Sequence, residues 1–138
     1  MKEDVLDGGP ALDAFARRLA AQLVPGDVVA LRGPLGAGKT TLVRALVRAL
    51  HGSDDAVSSP TFVFRHTYTG TPIIEHVDLY RIEDPSELAD LALDDALGPD
   101  RIVLIEWPDR AEAWLPAERI EVAIEGAGEG PRTIWVTR

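Results

Sequence analysis

The sequence predicts a single α/β domain in which a mixed, mostly parallel central sheet is flanked by helices. Apolar residues recur at helical spacing in two segments, and short runs rich in β-branched residues stand between and after them. No internal repeat or low-complexity linker interrupts the 138 residues. Because a chain of this length can bury one substantial hydrophobic core, we expect one domain over residues 1–138.

The first half of the chain alternates helix and strand. Helical periodicity after Pro10 predicts an amphipathic helix over residues 11–23. The apolar run VVALR predicts a buried strand, Val28–Arg32. After a glycine-rich connection, helical periodicity returns until His51-Gly52 stops it. The glycine-rich connection therefore lies between a strand and a helix.

The second half of the chain predicts five further strands and one helix. The runs FVFRHTY and IIEHVDLY, on either side of TGTP, predict a β-hairpin. Asp84, Pro85 and Glu87 predict the start of a helix that runs to Gly98-Pro99. Three more strands are predicted from RIVLIEW, RIEVAIE and RTIWVTR, the second alternating like an edge strand, with PDRAEAWLP as a short helical piece or turn.

Composition and charge exclude several classes of protein. A formal net charge of -9 leaves no basic footprint for nucleic acid, so the chain is not expected to bind RNA alone. The absence of cysteine excludes disulfides and thiolate metal sites and favours an intracellular protein. No apolar run approaches the ~20 residues of a membrane span, and MKEDVLDGGP resembles neither a signal nor a transit peptide. We expect a cytoplasmic protein without membrane contact.

The glycine-rich connection has the pattern of a phosphate-binding loop. Residues 33–40, GPLGAGKT, match G-x-x-x-x-G-K-[ST] in the strand-to-helix context that this motif needs. Its glycines let successive N–H groups point inward, and the following helix adds its positive dipole end. In this pattern Lys39 reaches the β- and γ-phosphates, and the Thr40 hydroxyl ligates the bridging Mg²⁺. The expected nucleotide contacts in the loop are Leu35, Gly36, Ala37, Gly38, Lys39, Thr40 and Thr41.

Two carboxylates that end predicted strands are candidates for catalysis. Glu106 ends RIVLIE and Asp78 ends IIEHVD, where a carboxylate can hold a metal or orient an attacking water. The alternative for each is a strand cap in solvent. His76 would share a strand face with Asp78, and such a histidine is more often a hydrogen-bonded structural residue than a metal ligand.

The choice of nucleotide follows from residues that the sequence lacks. There is no asparagine, so the Asn-Lys-x-Asp motif that reads guanine is excluded and ATP is expected. The only glutamine, Gln22, lies in the first predicted helix, which disfavours a water-positioning glutamine of the Ras type.

Four motifs together resemble the TsaE (YjeE-type) family: GPLGAGKTTL, SSPTFVF, HVDLYR and VLIEWPDR, in this order and at these spacings. The resemblance runs from about the first helix to at least Arg110, and the last three motifs make it far more specific than the phosphate-binding loop alone. These are bacterial ATPases needed for threonylcarbamoyladenosine modification of tRNA. The resemblance therefore implies a compact P-loop domain that binds ATP and Mg²⁺ and hydrolyses ATP slowly.

The resemblance also implies roles for individual residues. Thr40 and Glu106 match the positions that hold Mg²⁺, and Asp78 matches an acid implicated in activity, so Lys39, Asp78 and Glu106 form the expected catalytic set. The SPTF segment, residues 59–62, falls where a switch-like loop would sense the γ-phosphate. Trp107 matches a family tryptophan that lies beside the nucleotide. The alternative is that this side chain packs in the hydrophobic core.

Two departures from the family pattern affect nucleotide binding. Pro34 replaces the usual acidic residue after the first loop glycine, which removes one N–H donor from the early part of the loop. The threonine that family members often carry ahead of the first helix is not evident in DGGPALDAF. The adenine contacts are therefore unassigned by sequence.

The implied partners are TsaD, the threonylcarbamoyl transferase, and TsaB, its companion subunit. ATP hydrolysis would permit turnover of their complex, and tRNA would be held only indirectly, in agreement with the acidic composition. Arg44 and Arg48, one helical turn apart, are candidates for the docking surface. Two alternatives stay open: a nucleotide-gated assembly module with incidental hydrolysis, and a small-molecule kinase, which the lack of an evident arginine-rich lid disfavours.

Overall fold

Seven strands form one mixed sheet in the computed structural model. It describes residues 2–34, 36–52, 65–84, 86–87, 93–126 and 130–138. The strands are β1 Lys2–Leu6, β2 Val28–Arg32, β3 Arg65–Tyr68, β4 Ile73–Asp78, β5 Arg101–Glu106, β6 Ile120–Glu125 and β7 Arg132–Thr137. The helices are α1 Gly9–Ala20 and α2 Lys39–His51, with 3₁₀ turns at Leu93–Ala96 and Pro108–Ala111. The predicted α/β class with a mixed sheet is confirmed.

The centre of the sheet is parallel and both flanks are antiparallel. The strand order is β1-β7-β6-β2-β5-β4-β3. β2 pairs in parallel with β5 and β6, and β4 pairs in parallel with β5. The pairs β1–β7, β6–β7 and β3–β4 are antiparallel. The sheet is therefore parallel only at its centre, because antiparallel pairs form both of its sides.

Strand β6 is interior, so the prediction of an edge strand from RIEVAIE is wrong. It lies between β2 and β7, and the unpredicted β1 adds beyond β7. The alternation along β6 arises because Ile120, Val122 and Ile124 are buried under the helices while Glu121 is half-buried on the other face. Three of the five residues of β1 are charged, in KEDVL, so the sequence showed no strand pattern there.

Both α-helices cover the same face of the sheet. Helix α1 begins around Pro10, whose fixed φ suits a first turn, and it buries Phe15 and Leu19. Helix α2 buries Leu42 and Leu46 in the same hydrophobic cluster. The helix predicted over 11–23 is thus confirmed with its bounds shifted toward the N-terminus. No helix in the described ranges combines the length and the apolar character needed to cross a membrane.

The opposite face of the sheet packs against the chain around the 3₁₀ turns. Its hydrophobic cluster includes Val77, Ile105 and Leu115.

Of the helix predicted from Asp84, the reciprocal cap is confirmed. The Asp84 carboxylate accepts the Ser86 N–H at 2.9 Å. The Glu87 carboxylate accepts the N–H groups of residues 83 and 84 at 3.0 and 3.1 Å. Residues 88–92 lie outside the described residues, and residues 93–96 form a 3₁₀ turn.

A buried carboxylate, Glu75, joins β3, β4 and β5 on this second face. Its side chain is fully buried, and it accepts hydrogen bonds from Arg65 at 3.0 Å, Arg101 at 2.6 Å and Thr67 at 2.9 Å. Burial acts to raise the pKa of Glu75, but the hydrogen bonds from Arg65, Thr67 and Arg101 and the charge of Arg65 outweigh it, so the pKa is lowered below its usual value. Ionised Glu75 therefore stabilises the fold.

Replacing Glu75 with glutamine should destabilise the protein by about 3 kcal/mol near neutral pH, because the ion pairs that Arg65 and Arg101 form with the buried carboxylate are lost. The pKa of Glu75 is lower in the folded than in the unfolded chain. Its contribution is thus present above the unfolded pKa and is lost as the pH falls through the folded pKa. Urea unfolding at neutral and acidic pH measures both effects. Glu125→Gln, at an exposed strand end, is the matched control with less than about 0.5 kcal/mol expected. Equal unfolding free energies for the two variants would contradict the prediction.

Candidate functional site

The phosphate-binding loop connects the end of β2 to the start of α2, as predicted. A Cβ on Gly33 would lie 2.6 Å from the carbonyl oxygen of Ile124, so only glycine lets the loop pass against β6. Gly38 has φ +103° and precedes the first residue of α2, and its carbonyl accepts the N–H of Leu42 at 2.9 Å. The loop therefore delivers the helix N-terminus to the carboxyl edge of the parallel strands. Leu35 lies outside the described residues.

Lys39, the first residue of α2, turns its side chain back over the loop. Its ammonium donates a hydrogen bond to the carbonyl of Gly33 and lies 3.4 Å from the carbonyl oxygen of Pro34. Burial lowers the pKa of Lys39 below its usual value, while the carboxylates of Glu106 and Asp78 partly oppose this effect. The lysine ammonium thus lies over the loop, where an anion would be bound.

Glu106 is almost fully buried and is linked directly to Thr40. Its carboxylate accepts hydrogen bonds from the Thr40 hydroxyl at 3.0 and 3.2 Å. His76 Nε2 lies 2.6 Å from Oε2 of the same carboxylate. The structure therefore brings together the two residues predicted to hold a metal, and it adds a histidine that orients one of them.

Asp78 lies beside Glu106, because the parallel register of β4 and β5 makes their Cα atoms direct partners. Its carboxylate accepts the N–H of Tyr80 at 2.9 Å. Burial, followed by repulsion from Glu106, raises the pKa of Asp78 above its usual value. Two adjacent carboxylates with one raised pKa are a functional arrangement more often than a stabilising one.

The donor set at this edge suits Mg²⁺ only if a ligand completes it. Within the described residues, no group of three or more His, Cys, Asp or Glu side chains is arranged to hold a metal ion. Mg²⁺ is commonly held by one or two protein oxygens together with waters and substrate phosphates. The Thr40 hydroxyl and the Glu106 carboxylate provide two such oxygens next to the phosphate-binding loop.

Trp107 follows Glu106 directly and packs over the lysine. The Lys39 Nζ atom lies 3.6 Å from the centroid of its ring, which is a close cation–π contact. The ring of Tyr80 packs against it, with centroids 5.0 Å apart. Among described non-glycine residues, only Trp107 has a positive φ, +57°, a conformation that is costly for a bulky side chain. Its ring therefore packs over Lys39 at the loop and also against the second hydrophobic cluster.

A cavity of about 230 Å³ opens beside the phosphate-binding loop. Four apolar side chains line it, from β1, α1, β6 and β7: Leu6, Leu12, Ile124 and Ile134. The loop contributes Ala37 and Gly38, and the first turn of α2 contributes Thr41. Sequence reasoning did not find this cavity, since its walls come from segments more than a hundred residues apart and carry no motif.

The predicted residues of the site are brought together wherever they are described. Lys39, Thr40, Asp78, Glu106 and Trp107 surround the loop. The SPTF segment, residues 59–62, lies outside the described residues. The arginines at positions 44 and 48 are exposed on α2, and the second forms an ion pair with an aspartate of α1 at 3.0 Å.

Comparisons with known proteins agree with this geometry. The family model described as threonylcarbamoyl adenosine biosynthesis protein TsaE matches residues 8–134. A Bacillus subtilis protein named tRNA threonylcarbamoyladenosine biosynthesis protein TsaE is 42% identical over 125 residues, covering 90% of this chain and 77% of the relative. A Rickettsia bellii protein of the same name is 35% identical, covering 98% of this chain and 94% of the relative.

The fold has a counterpart among solved structures. The crystal structure of Bacillus subtilis YdiB superposes with a TM-score of 0.76 and 30% sequence identity, covering 96% of this chain and 82% of that one. The phosphate-binding loop, the Thr40–Glu106 contact and these matches lead to one conclusion: the chain belongs to the TsaE family.

Proposed function

We propose that the chain is a slow Mg²⁺-dependent ATPase required for threonylcarbamoyladenosine modification of tRNA. The observation that carries the proposal is the hydrogen bond between the Thr40 hydroxyl and buried Glu106, at the mouth of a phosphate-binding loop. It sets two oxygen ligands beside the N-terminus of α2, where backbone N–H groups and the helix dipole favour an anion. The names of the relatives support the biosynthetic role.

Each residue of the site has a distinct part in this proposal. Backbone N–H groups of the loop bind the phosphates, and Lys39 leaves its loop carbonyl to contact the β- and γ-phosphates. Thr40 and Glu106 would hold the metal, whose charge would offset the negative charge of the phosphates when it is bound. Asp78 orients the attacking water or accepts its proton, a role for which a raised pKa is suited.

The cavity beside the loop supplies a place for the adenine and ribose. It joins the loop at Ala37 and Gly38, and its largely apolar wall suits the faces of a base. In this assignment Leu6 and Leu12 provide apolar contacts to the base.

The proposed partners are TsaD and TsaB, whose complex would be reset by ATP hydrolysis between catalytic cycles. The net charge of -9 supports indirect contact with tRNA, since phosphate contacts need basic surfaces. Where the partners dock on this chain is a separate prediction, for which the exposed arginines at positions 44 and 48 are candidates.

Hydrolysis of Mg·ATP by the purified protein, alone and with TsaB and TsaD, tests the proposal directly. Glu106→Ala should lower partner-stimulated hydrolysis by about 10²-fold, because the metal loses its carboxylate ligand. Glu118→Ala is the matched control, since it removes the same charge from an exposed position. No hydrolysis by the wild type with both partners, or equal rates for the two variants, would overturn the ATPase assignment.

Lys39→Ala should abolish measurable ATP binding, because the buried ammonium is the principal side-chain cation of the loop. We expect a loss of at least about 10²-fold in affinity, measured by titration calorimetry with Mg·ATP. Arg44→Ala is the matched control, because it removes a positive charge from an exposed position further along α2. Equal affinities for the two variants would remove Lys39 from the site.

A nucleotide-gated assembly module is the second candidate. Lys39 contacts the ring of Trp107, which in turn packs against half-exposed Tyr80, so movement of the lysine toward phosphates would change the surface. In this alternative, ATP binding organises the docking surface and hydrolysis is incidental.

Asp78→Asn separates the two candidates. It keeps an acceptor for the Tyr80 N–H and removes the charge, so ATP binding should persist while hydrolysis falls. Because the raised pKa means that ionised Asp78 opposes folding, the variant should gain about 1 kcal/mol of stability without nucleotide. If hydrolysis is needed for turnover, the variant should support one round of tRNA modification and then stall. Sustained modification by the variant would favour the assembly module.

A further inference from the structure

Arg132, the first residue of β7, reaches the phosphate-binding loop from the far end of the chain. Its Nε donates a hydrogen bond to the carbonyl of Ala37 at 2.9 Å, across 95 positions of sequence. Its Nη1 donates a second hydrogen bond to the carbonyl of Gly130 at 2.7 Å. One guanidinium therefore ties the loop to the turn that leads into β7.

Two glycines lie on either side of the Arg132 side chain. A Cβ on Gly126, at the end of β6, would lie 2.8 Å from Cδ of Arg132, so a glycine leaves the room that the arginine occupies. On the loop side, a Cβ on Gly38 would lie 4.0 Å from Nε of Arg132. The half-buried arginine thus packs between two glycines, and it also lines the cavity beside the loop.

The contact with Ala37 determines how one peptide of the loop is oriented. In a planar trans peptide the carbonyl and the next N–H point to opposite sides. Because the Ala37 carbonyl points toward Arg132, the N–H of Gly38 points to the opposite side of the peptide, away from the guanidinium. Glycine resists rotation of this peptide weakly, since it populates a broad range of φ. A hydrogen bond from outside the loop can therefore fix the orientation of this peptide.

We infer that Arg132 is a positioning residue for phosphate binding, which acts by holding the Ala37–Gly38 peptide with its N–H toward the phosphates. The inference rests on the proposed function, because it concerns how the same loop binds a polyphosphate. A hydrogen bond from a charged donor is stronger than a neutral one, so a single guanidinium suffices for this role.

Titration calorimetry with Mg·ATP and with Mg·tripolyphosphate tests the inference. We expect Arg132→Gln to weaken both ligands by about tenfold or more, the loss typical of a charge-assisted hydrogen bond. Arg132→Lys should fall between this variant and the wild type, since an ammonium can still donate to Ala37 but not to both carbonyls. Arg138→Gln is the matched control: it removes the same charge just beyond the other end of β7, where the side chain is exposed and bonds Asp27. It should change neither affinity by more than about twofold.

The possible outcomes separate the inference from the proposed function. Equal affinities for Arg132→Gln and Arg138→Gln would overturn the inference, as would a loss confined to ATP, which would place Arg132 on the base or ribose instead. If Arg132→Gln unfolds at the assay temperature, Arg132→Lys decides, and wild-type affinity for that variant overturns the inference. Failure of the wild type to bind either ligand, or unchanged binding by Lys39→Ala, would overturn the proposed function and the inference with it.

Discussion

The hydrogen bonds between Thr40 and Glu106 connect the two elements on which the site depends. Thr40 lies in the first turn of α2, and Glu106 is the last residue of β5. A buried carboxylate is stable only when it is hydrogen-bonded, and Thr40 and His76 satisfy Glu106 from two directions. The contact therefore joins the first turn of α2 to the carboxyl end of β5, beside the phosphate-binding loop.

The two faces of the sheet carry buried charge for different reasons. On the face away from the helices, Glu75 has arginine partners on both neighbouring strands, and its pKa is lowered. On the helix-covered face, Asp78 lies beside a second carboxylate, and its pKa is raised. The first arrangement stabilises the fold, whereas the second opposes it. Such a cost is typical of functional sites.

Parts of the chain that are distant in sequence hold the loop in place. Gly33 passes against the carbonyl of Ile124, and Arg132 holds the carbonyl of Ala37. The strand that enters the loop is anchored by Arg32, which forms ion pairs at 2.7 Å with Glu121 of β6 and at 2.5 Å with Glu112 after the second 3₁₀ turn. The antiparallel β6–β7 hairpin is therefore part of the site, although none of its residues belongs to the loop motif.

Local sequence patterns determined much of this protein. The run VVALR and the periodicity after it predicted β2 and α2, and motif spacing predicted Lys39, Thr40, Asp78 and Glu106 as neighbours of one loop. These features depend on residues a few positions apart, which a single sequence displays directly. The metal-binding and catalytic roles of these four residues stay predictions, as do the roles implied for Leu35 and for residues 59–62.

Only the tertiary structure decided which distant segments meet. It placed β6 inside the sheet and added β1 at the edge, because pairing depends on partners that local alternation does not encode. It turned Trp107 onto Lys39 through a left-handed backbone conformation that the sequence left undetermined. The cavity and the contact between Arg132 and Ala37 both join segments that lie far apart in the sequence. No local pattern records such contacts, because they arise from packing in three dimensions.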